Sequence, residues 1–236
     1  MGLIYVYKPI GKTPLEIVES VKSSQYKKIS YAGRLDPMAH GTLLLLTDED
    51  CYKQYNYNNL NKIYKFKLLC GVETDTNDIL GKIVGNKKEI DMSKLRDKIS
   101  SLVGKQELPY PLFSSKRYNG KPLWYYGKNN KRDEIKDYPN QTIMINKISI
   151  LDGYDIDKDE LIEYVKTNIG RLDKKHDFRQ EEILESWKDI MEYTYKVLEV
   201  EANVGSGTYI RGISRHLSES LNISTLCLDI YRTKIY

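Results

Sequence analysis

No stretch of the 236-residue chain approaches the roughly 18 consecutive apolar residues of a membrane-spanning helix; the longest aliphatic run is the four leucines Leu43–Leu46. Nor does a basic-then-apolar leader open it, since Met1-Gly2-Leu3 runs straight into strand-like sequence. A soluble intracellular protein of cytoplasm or nucleus is expected. Cysteine is scarce: Cys51, Cys70 and Cys227 are scattered, odd in number and never spaced C-x-x-C, which argues against both a disulfide framework and a zinc site. Three histidines, His40, His176 and His216, lie far apart without H-x-x-x-H or H-E-x-x-H spacing, so metal-assisted hydrolysis lacks its ligands. No G-x-S-x-G elbow serves acyl transfer. The run from Gly205 fails the dinucleotide fingerprint because Ile210 holds the third glycine position, and no phosphate-binding G-x-x-x-x-G-K-[ST] loop occurs. Repeats and low-complexity tails are missing too.

The length suits one catalytic domain spanning residues 1–236. A net charge of +4 permits a nucleic-acid partner without requiring one. Twenty tyrosines against three phenylalanines, among many Asn, Lys and Ile, look like codon bias and carry no functional weight. No helix shows a symmetric apolar face, which makes a monomer the expectation.

Strand character is read at 3–7, 42–47, 62–72, 142–154, 192–204 and 223–232. Within 62–72, Tyr64, Phe66, Leu68 and Cys70 alternate with Lys65 and Lys67, so Tyr64 points inward. Thr13-Pro14-Leu15-Glu16 forms a capping box for a helix reaching Tyr26. Asp48, Glu49 and Asp50 suit the start of another. Helices are further predicted over 91–103, 158–169, 178–191 and from Thr208, whose stripe is Ile210, Ile213, Leu217 and Leu221. Without regular β-α-β alternation the class is α+β, with a mixed, largely antiparallel sheet and surrounding helices. Residues 109–137 read as a long, mobile, basic and aromatic loop region.

Asp36, followed by proline, is by local chemistry a turn residue; its loop between two apolar segments would set the carboxylate at the rim of the core. With Thr208 as N-cap, Arg211 falls at N3, where a cation opposes the helix dipole and calls for a carboxylate partner. Gly205-Ser206-Gly207 could form an anion-binding nest at that helix start. Between Lys116 and Lys136, the cations Lys116, Arg117, Lys121 and Arg132 interleave with Tyr118, Trp124, Tyr125 and Tyr126, the pairing of charge and rings that loop RNA demands.

Taken together, Lys8-Pro9-Ile10-Gly11, Gly33-Arg34-Leu35-Asp36-Pro37, Gly41-Thr42-Leu43, Tyr64, Thr74-Asp75-Thr76-Asn77-Asp78 with Gly81, Gly120-Lys121-Pro122-Leu123 and Gly207-Thr208-Tyr209-Ile210-Arg211 occur in the order of the TruB family of tRNA pseudouridine synthases, which the chain resembles from about Leu3 to Lys234. The resemblance implies a central RNA-binding cleft and isomerisation of uridine 55 in the tRNA T-loop without metal or cofactor. It implies Asp36 as nucleophile, Tyr64 stacked on the target base, Tyr209 and Arg211 beside the aspartate, and Ile230 as pocket floor in place of a leucine. Tyr31 stands where the family has a histidine that contacts RNA. Alternatives are an rRNA target, since Arg34-Leu35-Asp36 also resembles the RsuA-type synthases, and an RNA-binding or folding-helper protein with an idle site. The charged helical insertion near 157–191 is expected to decorate the surface, because acids match bases there; a substitute RNA contact is the alternative.

Overall fold

The computed structural model describes residues 2–86, 90–191 and 193–236. Its strands are β1 (Leu3–Lys8), β2 (Ile29–Ala32), β3 (Ala39–Thr47), β4 (Lys62–Cys70), β5 (Glu73–Thr74), β6 (Ile83–Gly85), β7 (Gly104–Pro109), β8 (Arg117–Tyr118), β9 (Lys121–Pro122), β10 (Asn140–Asp157), β11 (Thr194–Val204) and β12 (Thr225–Ile235). The α-helices are α1 (Pro14–Val21), α2 (Gln54–Asn58), α3 (Met92–Ser100), α4 (Leu123–Lys128), α5 (Lys158–Gly170), α6 (Gln180–Ser186) and α7 (Ile210–Leu221). Eight strands form one sheet in the order β1-β3-β12-β4-β11-β10-β7, with β2 also paired to β3. Every pairing is antiparallel except β3 with β12. This is the mixed, largely antiparallel α+β arrangement expected.

Alternation along the central strands builds two cores, one on each sheet face. Tyr64, Phe66, Leu68 and Cys70 of β4 meet Ile17 and Val18 of α1, Leu95 and Ile99 of α3, and Ile213 and Leu217 of α7. Leu69, pointing the other way, packs with Val197, Leu226 and Leu228 against Leu161, Val165 and Ile169 of α5 and against Ile183 and Trp187. A register shift in β12 between Cys227 and Asp229 inserts the extra residue that puts Ile230 on the same face as Cys227. That bulge aims Ile230 at the site described below.

The segment expected to decorate the surface instead packs its apolar side chains into the core on that second sheet face. Leu161, Val165 and Ile169 recur at four-residue spacing, which lays one apolar stripe along α5; the charges that dominated its composition occupy the outer face. Trp187 is almost fully buried and its Nε1 donates to Gly81 O at 3.1 Å. Trp187→Ala should cost about 3–5 kcal/mol in urea unfolding, through the cavity and the orphaned carbonyl; a loss below about 1 kcal/mol would return this segment to the periphery.

Several boundaries differ from expectation for local reasons. The Thr13 capping box forms as read, but α1 stops at Val21 because Ser23-Ser24-Gln25 offers no further apolar contact. Asp48–Lys53 is a 3-10 turn leading into the short α2. The strand after Asp36 starts at Ala39 rather than Thr42, since Ala39–Gly41 pair with β12. Met92–Ser100 is capped by Asp91, and β7, which went unread, follows it. The helix expected over 178–191 is α6 with a 3-10 turn at Trp187–Asp189. β11 begins at Thr194; Glu192, its expected start, lies outside the described residues. The last helix is capped at Tyr209 without a side-chain bond, so Arg211 sits at N2, while Thr208 Oγ1 donates to Gly205 O at 3.0 Å. Residues 109–137 are structured rather than a bare loop: the β8–β9 hairpin, α4 and a 3-10 turn enclose a small core of Leu123, Tyr126 and Ile135.

Candidate active site

The β2–β3 connection carries Asp36, whose carbonyl accepts from Ala39 N at 3.1 Å, the tight turn that the Asp-Pro pair predicts. This turn is bolted to the end of β1. Fully buried Lys8 donates from Nζ to Pro9 O, Lys12 O and Pro37 O at 3.1, 2.6 and 3.4 Å, and Gly11 N donates to Pro37 O at 2.9 Å. The Asp36 side chain, 23% exposed, faces outward from that support.

Arg211 reaches it from the first turn of α7, with Nε donating to Asp36 Oδ2 at 2.8 Å. The rest of the guanidinium is consumed by backbone: Nη1 donates to Thr76 O at 2.9 Å and Nη2 to Phe113 O at 3.2 Å. A second carboxylate, Asp78 Oδ2, lies 3.6 Å from Nε, and its Oδ1 accepts from Thr76 Oγ1 at 2.6 Å and Leu80 N at 3.0 Å. One buried cation thus serves two acids, which gives the oddly placed arginine its reason. Burial works against the Arg211 charge, but Asp36 and Asp78 outweigh it and hold the proton more tightly than usual. Burial raises Asp78 above the ordinary carboxylate range although Arg211 and Thr76 pull it down.

Two cavities meet at Asp36. The smaller, about 210 Å³, is bounded by Asp36, Tyr64, Tyr209, Ile230, Lys62 and Arg232 among others. Tyr64 offers a ring and Ile230 an aliphatic surface, so the space is a slot for a flat heterocycle beside a carboxylate. Arg232 fixes its back wall: Nε donates to Thr42 O at 2.7 Å, and Nη1 to Arg34 O at 3.3 Å and Tyr64 Oη at 3.4 Å. Gly33, at φ +68°, leaves the room that these cations need, for a Cβ there would lie 3.2 Å from Lys62 Cε. Burial, then Asp36, raises the Tyr209 phenol, which keeps it protonated at neutral pH. The larger cavity, about 500 Å³, extends from Asp36 and Arg211 past Phe113 and Trp124 to residues 175–179.

The structure thus gathers Asp36, Tyr64, Tyr209, Arg211 and Ile230 around one point. Tyr31 borders neither cavity; its hydroxyl accepts from Arg34 Nη2 at 3.1 Å. Lys116, Arg117, Lys121 and Arg132 are exposed and lie outside both linings. From the same region Trp124 and Lys128 do border the larger one. Asp78, Lys8, Lys62, Arg232 and the 175–179 wall were missed by reading single residues. Asp78 and Lys8 were signalled only as members of the motifs Thr74–Asp78 and Lys8–Gly11.

Burial pushes Lys8 down to about 7 and Lys62 down to about 8. The unfolded chain keeps both protonated up to about 10.4, so above each folded value it binds more protons than the native state. Stability should therefore rise with pH from about 7 to about 10, by up to about 1.4 kcal/mol per pH unit for each lysine. Urea unfolding at pH 7.5 and 9.5 checks this, with Lys8→Met expected to flatten the rise and an unchanged slope counting against it.

Against known proteins, a family model described as TruB family pseudouridylate synthase (N terminal domain) matches residues 21–170. The tRNA pseudouridine synthase B of Caldicellulosiruptor saccharolyticus is 25% identical over 234 residues, 99% of this chain and 67% of that protein. That of Thermotoga maritima is 31% identical over 149 residues, 62% of this chain and 47% of its own length. The chain thus spans about half to two thirds of the length of these relatives. Among solved structures, one titled "Crystal Structure of a Cbf5-Nop10-Gar1 Complex" superposes with a TM-score of 0.60 at 16% identity, covering 99% of this chain and 48% of that one, a likeness of fold. The family match runs through the Asp36 turn, Tyr64 and the Thr74–Asp78 turn, the elements that the fold brings onto Arg211: this chain belongs to the TruB family of pseudouridylate synthases.

Proposed function

We propose that the chain isomerises a uridine in tRNA to pseudouridine, with uridine 55 of the T-loop as its target, and that it acts as a monomer. The observation that carries this reading is the Arg211-bound carboxylate of Asp36 at the mouth of a nucleoside-sized slot walled by Tyr64 and Ile230. A uridine in a folded loop must leave its stack before its glycosidic bond can be reached, at a cost of a few kcal/mol. Stacking on Tyr64 offsets much of that, at roughly 1–3 kcal/mol per base.

The reaction breaks N1–C1′, turns the uracil and joins C5 to C1′; N1 gains a proton and C5 loses one, so atoms and electrons balance within the substrate. Either attack on C1′ or removal of a ribose proton needs a free carboxylate oxygen, and Arg211 Nε bonds only Oδ2 of Asp36. In this reading Tyr64, which lines the same slot as Asp36, is the acceptor of the C5 proton, and protonated Tyr209 donates a hydrogen bond beside Asp36. The test is an unmodified tRNA transcript incubated with the protein and mapped for pseudouridine by chemical labelling and primer extension. One stop in the T-loop is expected; none anywhere in tRNA would overturn the reading.

A further inference from the structure

The smaller cavity, about 210 Å³, has room for no more than one nucleoside, yet the larger one opens from the same carboxylate: both are bordered by Arg34, Leu35, Asp36 and Tyr209. A uridine placed with its base in the slot and its ribose at Asp36 continues into phosphodiesters on either side, and the larger space, sharing the Asp36 border, is a path open to one of them. We infer that this larger cavity is a subsite for a nucleotide adjoining the target in the same RNA, with the α5–α6 connection, residues 171–179, as its outer wall. The inference rests on Asp36 being the uridine-isomerising centre.

The wall has the chemistry for it. The Phe178 and His176 rings lie 5.6 Å apart at 51°, Trp124 across the cavity is 45% exposed, and Lys128 and Lys175 stand at its border. Rings for a base and cations for its phosphate are what single-stranded RNA binds. Both cations are paired, Lys128 with Asp177 at 2.6 Å and Lys175 with Asp173 at 3.0 Å. Such exposed pairs contribute little and exchange readily for a phosphate.

The wall is also held in place before any RNA arrives. Arg179, in the left-handed region at φ +65°, donates to both Asp75 oxygens at 2.6 and 3.2 Å and lies 4.4 Å over the Phe113 ring. Gln180 closes the turn, donating from Nε2 to His176 O at 2.7 Å and accepting from Phe178 N at 3.0 Å. A non-glycine residue kept in that conformation by a bidentate ion pair marks a rigid element that presents its neighbours. It ties the connection to the Thr74–Asp78 turn, and so to Arg211.

The experiment uses T-arm stem-loop RNAs that are intact, or abasic immediately 5′ or 3′ of the target, in single-turnover reactions with the wild-type chain and the H176A/F178A variant. One abasic RNA should slow the wild type about 5- to 100-fold, the scale of one base–ring stack. The variant should show that loss on intact RNA and little more on the same abasic RNA. Losses that multiply for both abasic RNAs would overturn the subsite. Should the double variant unfold, H176A alone carries the same comparison. Independently, 2-aminopurine at the coupled position should be quenched on binding Asp36→Asn and not when H176A/F178A is added to that variant. Quenching with no pseudouridine formed would fell the isomerase reading and keep the subsite; pseudouridine formed with neither quenching nor coupling would fell the subsite alone.

Discussion

Replacing Asp36 by Asn should lower the rate of pseudouridine formation by on the order of 10⁴-fold or more while changing tRNA affinity only a few-fold, because the side chain keeps its shape and loses its charge. An amide oxygen still accepts from Arg211 Nε, so the turn, the slot and the rings around it persist. The nucleophile or base does not. Folding should survive as well, since Asp78, 3.6 Å from the same nitrogen, continues to neutralise the guanidinium. Primer-extension mapping gives the first quantity and filter binding the second. Activity within tenfold of wild type would remove Asp36 from the chemistry. A collapse of affinity alongside activity would instead make it a binding residue.

What the sequence made readable was local or periodic. The alternation in β4 predicted Tyr64 on the inward face, and there it lies. The cation at the start of α7 predicted a carboxylate partner, although the cap is Tyr209 and not Thr208. What it concealed depended on the tertiary fold. Asp78 is a turn residue until α7 delivers Arg211 beside it, and Lys8 is an ordinary lysine until three carbonyls converge on it. Residues 158–191 misled because charge was weighed before spacing: the acids and bases lie outside, and the stripe from Leu161 to Ile169 decides where the helix goes. The aromatic run after residue 109 misled in the other direction. Tyr118 and Tyr126 pack edge to face at 5.8 Å, so part of what reads as a stacking surface is a small core, and Trp124 is the ring left open to the cleft.

Arg211→Met should cost about 3–5 kcal/mol of stability and abolish activity, since it strands Asp78 without a counter-charge in a buried site and frees the Thr76 and Phe113 carbonyls. The penalty should depend on pH with a definite sign. Burial already raises Asp78 above the usual carboxylate value in the intact chain, and loss of the guanidinium raises it further. A carboxyl that binds its proton more tightly folded than unfolded supports the fold below the unfolded value, near 3.9, and that support is lost as pH climbs through the folded value. The variant's deficit should therefore be smallest near pH 4 and deepen toward pH 7. Adding Asp78→Asn removes the stranded charge, so the double variant should regain most of the pH-dependent part at pH 7 and no activity, because Asp36 still lacks its partner. Such a result makes the pair non-additive in stability and leaves catalysis dependent on the arginine alone. If the double variant were as unstable as Arg211→Met at every pH, the contribution of Arg211 to folding would reside in its two carbonyl contacts, and Asp78 would be a bystander to the ion pair rather than the acid that anchors it.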